Sequence, residues 1–279
     1  MICSVKIEKA FYNNKQVLEE IEFELEEGGI LAIVGESGAG KTTLGRIISG
    51  LHRFFHLDYQ GKVNLHSTVD VIPQNLTDSL DPVFTIKKQM LEVEKEENRI
   101  KETLKIVGFK DPDEILNAYP HNLSGGMRQR VLIAISLLRA QILLADEFTS
   151  ALDTITKIRV VNLLKRLNKE KNISIIFITH DMELLEFRGD MIVMFDGKIV
   201  EKGKIESLKT KPQHPYTMFL MGATPKLNMH YKNERFKEVA INRKYACPFF
   251  ESCDKARSIC KTQKPPLKKW GERWVRCHF

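Results

Sequence analysis

The chain has 279 residues, 43% of them hydrophobic, enough for one substantial core or one core with a small appendage. No stretch reaches the roughly 18 apolar residues that span a bilayer: residues 131–138 are cut off by Arg139, and 173–178 are fewer still. The net charge of +7 is unevenly spread, because 226–279 carry 14 basic and 5 acidic residues. A basic segment of that kind suits nucleic acid, anionic headgroups or an acidic partner, and equally a solvated surface.

In chain order, 1–6 show no basic-then-apolar leader, so the expected compartment is the cytoplasm. Residues 4–10 and 17–25 alternate as strands, with Ile21, Phe23 and Leu25 at period two. A turn at 26–29 leads to the apolar run 30–34, a strand buried on both faces. A glycine-rich loop and a helix from Lys41 to about Leu51 follow, and 61–72 read as one or two more strands. Residues 85–138 are predicted mainly helical: 87–107 lack Gly and Pro, and another helix starts near Ser124. Then come a strand at 141–146, a helix at 154–170, a strand at 173–179, and a hairpin, 190–195 with 198–203, about Asp196-Gly197. This alternation predicts an α/β fold with a mostly parallel sheet. Breaks at 211–215 and 222–225 place a domain boundary near Pro225. A basic extension, 226–279, with four cysteines follows.

Gly35-Glu36-Ser37-Gly38-Ala39-Gly40-Lys41-Thr42 fits the phosphate-loop pattern at every fixed position, between a buried strand and a helix. Glycines let backbone N–H groups converge on an anion, and the following helix dipole faces the same point. Lys41 is expected to reach the β- and γ-phosphates, Thr42 to ligate Mg²⁺, and Thr43 to complete the cradle. The loop alone means only a nucleoside triphosphate. The apolar run Ile142-Leu143-Leu144-Ala145 ends in Asp146-Glu147. Asp146 is placed for the Mg²⁺ shell, and Glu147 to orient or deprotonate the attacking water. His180 and Gln74 each follow an apolar strand, where ligands of parallel sheets sit. His180 is placed for the γ-phosphate, and Gln74 for Mg²⁺ or the lytic water.

Leu123-Ser124-Gly125-Gly126-Met127-Arg128-Gln129-Arg130 resembles the signature motif of ATP-binding-cassette (ABC) ATPases. Its serine and glycines at a helix N-terminus form a second anion-binding nest. The resemblance implies a P-loop NTPase cassette with a mixed sheet, an antiparallel β part and a helical subdomain at about 84–138. It implies ATP and Mg²⁺ as ligands, and a dimer in which each ATP lies between one phosphate loop and the opposite signature, through Ser124, Gly125, Gly126 and Gln129. Tyr12 matches the adenine-stacking aromatic, with Phe11 one residue away. Gln74 matches the Q-loop, Ser150-Ala151-Leu152-Asp153 the D-loop, with Asp153 at the nucleotide, and His180 the switch histidine. Phe148 departs from the family's usual proline after the catalytic glutamate and leaves the chemical groups intact.

Three segments resemble the oligopeptide, dipeptide and nickel importer branch: Pro73-Gln74-Asn75 with Ser79-Leu80-Asp81-Pro82, His214-Pro215-Tyr216-Thr217, and the terminal module with Cys247, Cys253, Cys260 and Cys277. That implies an ATPase subunit at the cytoplasmic face of the cell membrane, working with a second ATPase subunit, two integral-membrane permeases and, indirectly, an extracytoplasmic solute-binding protein. The cysteine spacing is not that of common zinc sites. It leaves open a [4Fe–4S] cluster, zinc, or four reduced thiols. A soluble ABC ATPase acting on nucleic acid or ribosomes is the rival reading. It usually carries two cassettes or a long coiled coil, and this chain has neither.

Overall fold

The computed structural model describes residues 1–72, 79–147, 154–222 and 241–279. The first elements are the strands β1 (Cys3–Tyr12), β2 (Lys15–Leu25) and β3 (Ile30–Val34), the helix α1 (Lys41–Ile48), and β4 (Leu57–Leu65) and β5 (Val69–Ile72). Four helices follow: α2 (Ile86–Val93), α3 (Glu97–Ile106), α4 (Pro112–Asn117) and α5 (Gly125–Arg139). Next are β6 (Ile142–Asp146), α6 (Thr154–Lys171), β7 (Ser174–Thr179), β8 (Asp190–Phe195), β9 (Lys198–Lys204), α7 (Ile205–Thr210) and α8 (Pro215–Gly222). The tail holds α9 (Ile259–Thr262), β10 (Leu267–Trp270) and β11 (Arg273–Arg276).

These elements form two compact units. The first comprises Met1–Ser4, Glu24–Ile30 and Asn64–Phe177, and the second comprises Val5–Phe23, Leu31–Val63 and Ile178–Phe279. In the first unit, β5 and β6 pair in parallel from Val69↔Ile142 to Ile72↔Ala145. The Ser174 N–H donates to the Gln141 carbonyl at 3.0 Å, bringing the start of β7 to the start of β6. Helices α2, α3 and α5 bury Ile86, Met90, Ile100, Leu104, Val131 and Ile133. Arg130 on α5 holds the end of α3: it donates to the Gly108 carbonyl at 3.0 Å and lies over the Phe109 ring.

Here the structure departs from the sequence expectation. The region 87–107 is not one helix. The chain turns extended at Glu94, whose carboxylate accepts the Glu96 N–H at 3.1 Å and pairs with Arg99 at 2.6 Å. That carboxylate offers a free helical N–H an acceptor outside the helix, so α3 begins anew. Helix α1 also ends at Ile48, short of Leu51, and a 3₁₀ turn, Leu51–Phe54, follows. Where one or two strands are expected in 61–72 there are two, and the first starts earlier, at Leu57.

In the second unit the strand order is β10-β11-β9-β8-β3, and a separate three-stranded sheet runs β2-β1-β4. Strand β3 pairs in parallel with β8, from Leu31↔Asp190 to Val34↔Val193. Strands β8 and β9 form the expected hairpin, with Asp196 and Gly197 both at positive φ. The tail continues this sheet through Val275↔Glu201. Its Phe249 joins Phe195, Val200, Tyr216 and Met221 in one buried cluster. The boundary expected near Pro225 lies outside the described residues.

Candidate nucleotide site

The phosphate loop lies in the second unit, between β3 and α1. Gly35 and Gly40 both adopt positive φ, and neither tolerates a Cβ. At Gly35 it would stand 2.3 Å from the Met194 carbonyl oxygen, and at Gly40 2.6 Å from Leu18 Cδ2. The tip of the β8–β9 hairpin closes on the loop, since the Gly197 N–H donates to the Ala39 carbonyl at 3.1 Å. Helix α1 begins at Lys41 with no side-chain cap and no acidic residue in its first turn. A helix N-terminus that follows a glycine-rich loop, with no carboxylate in its first turn to compete for an anion, is the arrangement that binds phosphate. A triphosphate fits this loop.

Lys41 is 4% exposed, and its ammonium donates to the Gly35 carbonyl at 2.8 Å and the Glu36 carbonyl at 3.0 Å. The loop thus bends so that its own backbone holds the lysine head. Burial raises the Glu36 carboxyl above its usual range, and the charge on Lys41 opposes that shift. Thr42, Ser37 and Gly38 are exposed, and Thr43 is half-buried. Tyr12, at the end of β1, is half-buried, and its hydroxyl accepts a hydrogen bond from Arg46 of α1 at 2.8 Å. Exposed His180 follows β7, where the Asp181 N–H turns back onto the Thr179 hydroxyl at 2.9 Å.

The remaining described motif residues lie in the first unit. Asp146 ends β6, half-buried, and Glu147 follows at φ 45°. A non-glycine residue in the left-handed region is uncommon, and such strain gathers at functional sites. Ser124 caps α5 by accepting the Met127 N–H at 3.3 Å. A Cβ built on Gly125 would meet nothing within 4 Å, and one on Gly126 only the Thr156 methyl at 3.9 Å. Among the described residues, no neighbouring atom requires glycine at either position. Gln129 is fully buried. Gln74, Phe148 and Ser150 to Asp153 lie outside the described residues.

The cysteines of the tail converge: Cys247, Cys253, Cys260 and Cys277 line one pocket with Phe249 and His278. Burial pushes the Cys253 thiol up to about 11 and raises that of Cys247. Among the described residues no three His, Cys, Asp or Glu side chains are arranged to hold one metal ion, and no helix is long and apolar enough to cross a membrane.

Residues 18–150 match the model of the ABC transporter family, and residues 200–260 match that of the oligopeptide/dipeptide transporter C-terminal region. The dipeptide transport ATP-binding protein DppD of Haemophilus influenzae is 33% identical, with 94% of this chain and 89% of that protein covered. The chain belongs to the ABC transporter ATP-binding family. The oligopeptide transport ATP-binding protein AppD of Bacillus subtilis is 36% identical, covering 96% of this chain and 93% of its own. Among solved structures, the cassette MJ0796, a dimer in a post-hydrolysis state with ADP and Pi, matches with a TM-score of 0.60 and 26% identity. That match covers 74% of this chain and 99% of that one. The ABC family is one of ATPases, and ATP hydrolysis is the activity class of this chain.

Sequence reading missed two features of the second unit. Tyr216 belongs to a segment that marks the importer branch, yet its hydroxyl accepts the N–H of Glu36 at 2.9 Å. Glu201 is fully buried on β9, where its carboxylate accepts the N–H groups of Gln213 and His214, each at 3.0 Å. An acidic residue inside the strand pattern of 198–203 was the one signal of it.

Proposed function

We propose that this chain hydrolyses ATP to drive import of peptides through a membrane transporter, as one of two ATPase subunits bound to integral-membrane permeases at the cytoplasmic face of the membrane. The observation that carries the reading is the bare tip of α5. Glycines that no described neighbour in this chain demands, beside a capping serine, leave room for a ligand presented by another molecule. In the dimer, the phosphate loop of one subunit and Ser124, Gly125 and Gly126 of the other hold one ATP from opposite sides.

Lys41 binds the β- and γ-phosphates, and Gly35 to Thr43 supply backbone N–H donors. Tyr12 stacks on adenine. Thr42 and Asp146, with Gln74, would supply oxygen donors to Mg²⁺, which would neutralise phosphate charge. Glu147 orients the attacking water and takes its proton, and His180 holds the γ-phosphate. Gln129 supports the signature helix, and Asp153 is assigned to the dimer contact from its match to the D-loop motif alone. Support for peptides, rather than nickel or a metal chelate, comes from relatives named for dipeptide and oligopeptide transport. A separate extracytoplasmic binding protein selects the solute, and relatives named for peptide transport favour this reading over the nucleic-acid one. The test is reconstitution with the cognate permeases in liposomes. Uptake of labelled dipeptide that needs ATP and stops with Glu147→Gln is expected. ATP-independent uptake, or no association with the permeases, would sink the reading.

The four cysteines favour a second, subsidiary proposal. They line one pocket, which supports a cluster held by four thiolate ligands as the reading to test, with zinc or four reduced thiols as the other outcomes. Anaerobically purified protein is expected to show charge-transfer absorbance with stoichiometric iron and sulfide. A colourless, iron-free protein would leave zinc or four reduced thiols.

A further inference from the structure

Tyr216 is completely buried in the first turn of α8, behind Pro215. Its hydroxyl accepts the N–H of Glu36. That N–H belongs to the same planar peptide unit as the Gly35 carbonyl, which accepts a hydrogen bond from Lys41 at 2.8 Å. Tyr216 and Lys41 therefore grip one rigid plate at opposite edges. Any rotation of the plate that frees the N–H also swings the oxygen that holds the lysine. No cradle of phosphate-binding N–H groups can form on a loop whose first peptide wanders.

The other side of Tyr216 belongs to the tail. Its ring packs edge-on against Phe249, with centroids 5.6 Å apart, and tilted against Phe195 at 4.5 Å. Its backbone N–H donates to His214 Nδ1 at 3.1 Å, and the other ring nitrogen of His214 donates to the Arg276 carbonyl. Phe249 stands two residues after Cys247, and Arg276 one before Cys277. The tail thus reaches Tyr216 from two points far apart in its own sequence.

We propose that Tyr216 is a positioning residue for the phosphate loop, and that through it the packing of the C-terminal module, 241–279, governs how well the loop takes nucleotide. The proposal rests on nucleotide binding at the loop. Binding of trinitrophenyl-ATP by the wild-type chain checks that premise separately.

Tyr216→Phe keeps the ring packing and deletes only the hydroxyl. Trinitrophenyl-ATP affinity of the full chain is expected to fall about tenfold, the fold-change of one buried donor left unsatisfied. In the assembled transporter, KM for ATP should rise to match while kcat stays within twofold. Phe249→Leu, a substitution in the tail that loosens its packing on the Tyr216 ring, should move affinity the same way by about twofold to threefold. Amide exchange on the unsubstituted chain provides a check that needs no variant: the Glu36 N–H should be protected. The proposal is overturned by fast exchange at Glu36 in the wild type, or by Tyr216→Phe binding the probe as the wild type does. Wild-type affinity in Phe249→Leu would overturn the role of the module.

Discussion

The Lys264 ammonium lies 2.8 Å from the Glu19 carboxylate, although 245 residues separate the two in sequence. Lys198 holds the same carboxylate at 3.1 Å, and the neighbouring Glu20 takes Arg276 at 2.6 Å. Strand β2 is thereby a docking rail for the tail. Burial by itself would raise the Glu19 carboxyl, but Lys264 and Lys198 outweigh it and bring it to about 2 from an ordinary 4.5. For a depressed carboxyl, the stabilisation is complete above pH 4.5 and fades as pH falls towards 2. Glu19→Gln should therefore unfold at lower urea than the wild type at pH 7, by about 1 kcal/mol given partial exposure. The gap should narrow steadily below pH 4.5. A gap independent of pH in urea titrations would show that packing, and not charge, holds the tail.

The N-terminus of α5 separates folding from function. Ser124→Ala removes the acceptor of the Met127 N–H and should lower stability by about 1 kcal/mol, seen as a small drop in Tm. Gly126→Asp has room, since among the described residues only the Thr156 methyl lies near the new Cβ. It should leave Tm and trinitrophenyl-ATP binding by the isolated chain unchanged. In the assembled transporter it places a carboxylate facing phosphate, and hydrolysis should fall about 100-fold, the scale on which a lost charge-stabilising donor acts. Undiminished hydrolysis by Gly126→Asp would mean that the signature does not face nucleotide.

What the sequence made legible, and what it hid, follows from the range of the forces involved. The strand 30–34, the helix N-cap at Ser124 and the Asp196-Gly197 hairpin are local features, written in periodicity and turn chemistry, and all three appear where expected. The phosphate loop was legible because its glycines answer to close backbone approach, such as Met194 against Gly35. The break at Glu94 was hidden, because a sequence free of Gly and Pro gives no warning of a carboxylate that caps the next helix. Tyr216 and Glu201 were hidden for another reason: their partners are brought by tertiary packing from elsewhere in the chain. Neither hydrophobic period nor motif spacing reports such a pair.

Lys41 is held so closely that even arginine should fail. The residue is 4% exposed, and its ammonium donates to two carbonyls of its own loop, a pocket for a compact head. A guanidinium is planar, wider and forked, and cannot occupy it without opening the loop. Lys41→Arg is therefore expected to weaken trinitrophenyl-ATP binding at least about tenfold despite the retained charge, the cost of leaving one buried carbonyl without its donor. Lys41→Ala should weaken it further, because two carbonyls and the phosphates all forfeit their donor. If Lys41→Arg bound the probe like the wild type, charge alone would be what the position supplies.

Glu147 offers the sharpest separation of binding from chemistry. It stands at φ 45°, just past the apolar strand β6 that ends in Asp146. Glutamine keeps the length and a hydrogen-bonding oxygen, so Glu147→Gln can still orient a water but cannot accept its proton. A general base contributes about 10²–10⁴-fold, so kcat of the assembled transporter should fall by at least about 100-fold. Affinity for ATP should stay the same or tighten, and the ATP-bound dimer should accumulate, because closure is no longer followed by cleavage. Size-exclusion chromatography with MgATP reads the dimer, and phosphate release reads kcat. An Asp146→Asn variant should instead lose the dependence of binding on Mg²⁺, since that carboxylate is assigned to the metal and not to the water. Equal losses of kcat in both variants, with neither altering the Mg²⁺ requirement, would contradict the separate roles given to these adjacent acids.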